Sequence, residues 1–218
     1  MRAKLKLTIL AAFLFSHIAV PAQTNSNRVF TSGYGVSVAA PATWPWDTEQ
    51  TREAKVSLVE LLTNLKADGK VRLLNTGPTA TSSNGYARVR LSITTQTQLS
   101  QSETRDLTEQ QLAELKQGAV SELTNTTMPA FKVDPKSIQV SKTRTETHHW
   151  AYRISYTRSG LSGGPVRVEQ YYVPFSNRAV LLTLSHEIAH KDKFGPMLLR
   201  VWASLDLQDS TLWPHAKD

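Results

Sequence analysis

After Pro135 the apolar side chains take up a period of two within each of several short stretches, and a chain patterned with that period builds sheet. The clearest stretch is 149–157, where Trp150, Tyr152, Ile154 and Tyr156 fall on one face. A strand is expected before it at 138–146. Beyond a Gly160–Gly164 loop, residues 166–175 and 179–185 are expected to form a hairpin around Ser176, Asn177 and Arg178. Earlier in the chain, 86–95 alternates in the same way: Ala87, Val89, Leu91 and Ile93 share one face, while Tyr86, Arg88 and Arg90 share the other. A further strand is expected at 71–75. A small hairpin opens the domain, with Val29, Phe30 and Thr31 leading through Gly33, Tyr34 and Gly35 into Val36, Ser37 and Val38.

Three helices interrupt the strands. Leu58, Leu61, Leu62 and Leu65 recur at helical spacing within 49–66, and Asp68-Gly69 supplies a stop. Thr108-Glu109-Gln110-Gln111 matches a capping box, with Leu107 and Leu112 placed as a hydrophobic staple, so a helix is expected to run from there to about Leu123. The last helix is expected to start at Pro196 and to bury Met197, Leu198, Val201, Trp202 and Leu205. The order is β-β-α-β-β-α-β-β-β-β-α. Runs of adjacent strands with few helices between them predict an α+β fold, an antiparallel sheet flanked by helices. One domain over 29–207 accounts for the pattern, preceded by a flexible lead-in at 23–28 and followed by a tail at 208–218.

Residues 1–22 have the three parts of an export signal. Arg2, Lys4 and Lys6 precede an apolar run from Ile9 to Phe15, and Val20-Pro21-Ala22 supplies a peptidase site. His17 and Pro21 interrupt the run well short of the ~20 residues that a transmembrane helix needs. Cleavage after Ala22 is expected, giving a periplasmic or secreted protein. The chain has no cysteine, which excludes disulfides, thiolate metal sites, a cysteine nucleophile and the lipid anchor of a lipoprotein. The formal charge is +7; removing Arg2, Lys4 and Lys6 leaves 22 basic against 18 acidic residues, or +4. That mild excess, without a dense basic stripe, argues against nucleic acid as a partner.

Two stretches carry a family resemblance. Phe30 to Pro41 followed by Trp44 resembles the glycine, short strand, proline, tryptophan opening of the PsbP-like superfamily. The closing pattern is also similar: a hairpin ending in Leu181-Leu182-Thr183-Leu184, a helix, then Ala203-Ser204-Leu205. The group includes the extrinsic photosystem II protein, a eukaryotic Ran-binding factor and small exported bacterial proteins of the DcrB type. The resemblance implies an α/β/α sandwich around an antiparallel sheet and a binding or accessory role instead of catalysis; no cofactor is expected on this reading. The superfamily shares no active site, so no site residue is carried over.

The sharpest chemical motif is His186-Glu187-Ile188-Ala189-His190, which matches H-E-x-x-H. On a helix both imidazoles would face one Zn²⁺, with Glu187 as general base on the metal-bound water. That is the alternative reading, a small zinc hydrolase or protease. His148, His149, Asp206, Asp209 and His215 are the candidates for its third ligand. Context opposes it: 179–185 pairs naturally as a strand, Lys191-Asp192-Lys193 follows the second histidine, and Gly195-Pro196 would break the helix.

Weaker groupings have structural explanations. His148 and His149 are adjacent and point to opposite faces of a strand. Arg88 with Arg90, and Lys142 with Arg144, place cations on outer faces. Trp44 and Trp46, with Tyr34, form either a core or an exposed platform. No nucleophile elbow is present. The leading expectation is therefore a non-enzymatic exported module that binds a protein or envelope component through a sheet edge or a loop surface.

Overall fold

A computed structural model describes residues 27–31, 35–46, 73–82, 85–94, 99–125, 132–160, 163–175 and 178–208. The export signal, the helix expected at 49–66, the turn residues Gly33 and Tyr34, and the candidates Asp209 and His215 lie outside them.

The central element is a six-stranded antiparallel sheet in the order β3-β4-β8-β7-β6-β5. Its strands are β3 (Leu73–Thr81), β4 (Ala87–Thr94), β5 (Val133–Arg144), β6 (Trp150–Ser159), β7 (Pro165–Phe175) and β8 (Arg178–Glu187). A second sheet joins β1 (Asn27–Thr31), β2 (Val36–Pro41) and a closing β9 (Asp206–Leu207) in the order β1-β2-β9. The helices are α1 (Gln101–Arg105), α2 (Glu109–Asn125) and α3 (Lys191–Ala203), and a 3-10 turn, Ile188–His190, leads into α3. The fold is α+β, as the alternation implies.

The period of two decides which face of the large sheet each helix covers. Ala87, Val89, Leu91 and Ile93 of β4 are buried with Val180, Leu182 and Leu184 of β8 in one cluster. Phe194, Leu198 and Val201 of α3 cover them, together with Val36 and Val38 of β2. Burying an aliphatic or aromatic side chain of this size contributes about 1.5–3 kcal/mol, so this layer is the main source of stability. Ser204 Oγ accepts from the Ala39 amide at 2.9 Å, tying the end of α3 to β2. On the opposite face, Leu112 and Ala119 of α2 pack over Ile138, Tyr152, Tyr156, Val166 and Val168. Tyr152 and Tyr172 stack there at 4.8 Å and 3°.

The α2 cap forms as its sequence dictates. The Thr108 amide donates to Gln111 Oε1 at 2.9 Å, the Gln111 amide donates to Thr108 Oγ1 at 3.3 Å, and Leu107 and Leu112 are buried in one cluster. A second capping box, Ser100 with Glu103, starts the single-turn helix α1, which the periodicity did not reveal because one turn has no period.

Three expected boundaries are corrected. The lead-in is shorter than 23–28, because Asn27 and Arg28 already pair with Pro41 and Ala40. The last helix begins at Lys191, five residues before Pro196, and runs through it. Proline inside a helix forfeits one amide donor and crowds the residue before it. Gly195, having no Cβ, relieves that crowding. Finally, β5 starts at Val133, ahead of the expected 138, with Pro135 inside a register shift between Asp134 and Gln139. An edge strand tolerates proline at such a bulge.

Candidate functional site

The strand expected at 179–185 extends to Glu187, and this places the H-E-x-x-H residues. His186 and Glu187 end β8, so their side chains leave opposite faces of the sheet. His190 ends the 3-10 turn. The helical spacing that would converge both imidazoles on one ion is not formed. Among the described residues, no group of three or more His, Asp or Glu side chains is arranged to hold a metal. Instead, His190 Nε2 lies 3.7 Å from Glu187 Oε2, and its ring meets Phe194 edge-on at 6.0 Å. His148 and His149 sit in the β5–β6 turn. His148 has φ +71°, and the His149 ring packs edge-on against Phe175 at 5.5 Å.

His186 has a different environment. It is 8% exposed, and its Nε2 is buried without a hydrogen-bond partner among the described residues. The antiparallel register puts Thr157, Arg167 and His186 in one row across β6, β7 and β8, and Ser155, Glu169 and Leu184 in the next. This face is apolar over β4 and β8 and becomes polar over β6. Helix α3 covers the apolar half and stops near the change. At that boundary lies a cavity of about 420 Å³. Its sheet wall is Thr157, Arg167, Glu169, Leu184 and His186. Its helix wall is Lys191, Gly195, Leu198 and Leu199, with Ile188 at the turn. Those helix positions lie on one face because they recur at helical spacing. Gly195 leaves room: an added Cβ would meet only Lys191 Cγ, at 3.9 Å.

The polar wall is wired around Glu169. Tyr171 donates its hydroxyl to Glu169 Oε2 at 2.8 Å. Arg153 Nη1 and Arg167 Nε each lie 3.9 Å from Glu169 Oε1, ion-pair contacts too long for hydrogen bonds. Arg167 Nη2 donates to Ser155 Oγ at 2.8 Å. Burial pushes the Tyr171 hydroxyl well above its usual range, reinforced by the Glu169 charge, so it stays a donor at neutral pH.

Burial also holds the His186 imidazole below its usual range; Glu169 opposes this, while Arg167 and Lys191 add to it. The folded protein therefore keeps His186 neutral, while the unfolded chain takes up the proton near pH ~6.5. Acid then favours the unfolded chain. This share of stability is complete above about pH 6.5 and is lost as pH falls toward and through the folded-state value. Urea midpoints should drop between about pH 7 and pH 5, and His186→Phe should flatten the drop. His149, also lowered chiefly by burial, keeps it from vanishing. Equal slopes in both proteins would acquit His186.

The remaining cation groupings have local explanations. Lys142 Nζ donates to the Arg105 and Leu107 carbonyls at 2.6 and 3.2 Å. Lys142 and Arg144 both lie over the Trp150 ring, at 5.6 and 5.1 Å. Arg88 lies over Tyr86 at 5.6 Å. Trp44 is 3% exposed and packs edge-on against Phe194, so it belongs to the core.

No family model and no curated protein matches the chain. Solved structures do. The cyanobacterial PsbP of Synechocystis sp. PCC 6803 superposes with a TM-score of 0.54 at 9% identity, over 86% of this chain and 96% of that one. The fold is PsbP-like. Two other structures superpose less closely. The Ran-binding protein Mog1p of Saccharomyces cerevisiae gives 0.44 at 10% identity, over 88% of this chain and 100% of its own. LpqN of Mycobacterium tuberculosis, involved in cell envelope biogenesis, gives 0.43 at 12% identity, over 84% and 91%. At those scores neither bears on this chain's function. At 9% identity the PsbP-like likeness is one of fold alone, so the cavity stands on this chain's own residues. Among the described residues, no helix is long and apolar enough to cross a membrane.

Proposed function

We propose that this chain is an exported, non-enzymatic binding protein of the cell envelope, and that it binds through the cavity between α3 and the β6-β7-β8 face. The observation that carries this reading is the cavity itself. Its volume falls within the range of small-molecule sites, about 300–1,000 Å³, and its wall is mostly apolar with a few converging polar groups. The sheet edges are less suited to a partner strand. Register shifts fall at Pro78 on β3 and at Pro135 on β5, and bulged prolines blunt an edge against strand addition.

The export half of the proposal rests on the tripartite pattern of residues 1–22. Cells producing the full chain should yield, outside the cytoplasm, a protein whose first residue is Gln23. Uncleaved chain retained in the cytoplasm would overturn that half. The binding half is read with Nile red, a neutral apolar dye. Its fluorescence should rise saturably with protein and should be lost in Thr157→Phe, which fills the cavity from a strand position that suits an aromatic residue. Metal analysis separates this reading from the zinc hydrolase. Purified protein should hold well under one zinc per chain, and stoichiometric zinc lost on His190→Ala would restore His186, Glu187 and His190 to catalysis.

A further inference from the structure

We infer that the cavity is selective for a small organic acid, with an acidic head group against Arg167 and Lys191 and an apolar body along Leu184, Leu198 and Leu199. This rests on the binding reading above and adds the chemical class of the ligand. Four observations converge on it.

The first is the sign of the charge. Arg167, Lys191 and Glu169 line the cavity, and Arg153 shares Glu169 from the next row of the sheet. With His186 neutral, three cations face one anion, a local charge of +2. An ammonium ligand would meet net repulsion there, and an anion net attraction.

The second is unspent donor capacity. A guanidinium carries five N–H donors in a planar fork that matches a carboxylate. Arg167 makes one hydrogen bond within the site, to Ser155, and its Glu169 contact at 3.9 Å is purely coulombic. His186, on the same wall, is buried, and its Nε2 has no hydrogen-bond partner among the described residues. A bound acidic group would supply acceptors to the remaining Arg167 donors.

The third is the division of the wall. Leu184 continues the sheet row of Ser155 and Glu169, and Leu198 and Leu199 face it from the helix, so an inorganic anion would lie half against apolar side chains that cannot solvate it. The fourth is the rim. Among the described residues three large apolar side chains are exposed, and two of them, Ile188 at 38% and Leu199 at 58%, line this cavity. Apolar exposure concentrated at the mouth of a cationic cavity suits a ligand that is apolar at one end and acidic at the other.

Octanoate is the probe, titrated by calorimetry into the purified chain, with octylammonium, acetate and inorganic phosphate as comparators. Octanoate should bind saturably, and each comparator should bind at least roughly tenfold more weakly, because each lacks either the charge or the chain. Arg167→Gln should weaken octanoate by roughly tenfold or more while Nile red binding persists. Lys191→Gln, at an exposed helix position, gives the same direction if Arg167→Gln folds poorly. Octylammonium binding as tightly as octanoate, or both variants binding octanoate like the parent, overturns the acid assignment. Nile red binding without octanoate binding also overturns it but leaves the binding reading standing. If Nile red does not bind and Thr157→Phe changes nothing, the binding reading itself falls. Phosphate binding more tightly than octanoate reassigns the site to inorganic anions.

Discussion

Phe194→Ala should lower the unfolding free energy by about 3–5 kcal/mol, the range for removing a buried aromatic ring. Phe194 is 1% exposed and is where α3 enters the core. Its ring packs edge-on against Trp44 at 5.9 Å and against His190 at 6.0 Å, and it shares a cluster with Leu198, Val201 and Leu184. Trp44 follows β2, His190 precedes α3, and Leu184 belongs to β8, so one ring joins the small sheet, the helix and the large sheet. None of these backbones can follow the missing ring without giving up other packing, so much of the cavity stays open. A domain of this size is stable by about 5–15 kcal/mol, and the loss would consume a large part of that. Leu199→Ala supplies the control: it lies on the same helix, is 58% exposed, and should change stability by no more than about 0.5 kcal/mol. Urea unfolding followed by tryptophan fluorescence measures both. A loss below about 1 kcal/mol for Phe194→Ala would mean that α3 does not hold the two sheets together.

The strand faces were legible because each strand carries its own period. The apolar row of β4, the aromatic row of β6 and the α2 cap all depend on residues within one element, and all three formed where the residues placed them. The site was not legible in the same way, because it depends on pairing. Arg167 and His186 are 19 positions apart and become neighbours only through the register of β7 against β8. A partial signal was available. On β6 the residues between the aromatics are Arg153, Ser155 and Thr157; on β7 the residues between the valines include Arg167 and Glu169. Two strands consecutive in sequence each present polar residues on the face away from the aromatic layer, and that coincidence marks a polar patch. Of the H-E-x-x-H motif, His186 and Ile188 line the cavity, whereas Glu187 and His190 do not. The motif's meaning depends on a helix, and the alternation through 179–185 carries β8 past His186 before any helix starts. Pro196 misled in the opposite direction: proline is favoured at a helix start, yet here Gly195 makes it tolerable in the interior.

Gly85→Val should destabilise the protein by about 1–3 kcal/mol from backbone strain alone, with a steric cost added. Gly85 has φ +98°, a conformation that a β-branched residue adopts only under strain. An added Cβ would also lie 3.2 Å from His190 Cδ2 and 3.4 Å from Phe194 Cε2. The close approach has a purpose in the fold. Gly85 stands at the entry to β4, and the next residue's carbonyl, that of Tyr86, accepts from the Glu187 amide at 2.9 Å. This bond fastens the start of β4 to the end of β8, at the point where His190 folds over the junction. A side chain at position 85 must push His190 outward or pull β4 away. The two costs separate in a double-mutant cycle with His190→Ala. If the ring contact contributes, Gly85→Val should cost less in the His190→Ala background than in the parent, with the φ penalty remaining. Full additivity would leave strain as the whole effect. A parent-like stability for Gly85→Val would show that the turn can adopt another conformation, and that His190 does not hold the junction as its contacts with Gly85 and Phe194 imply.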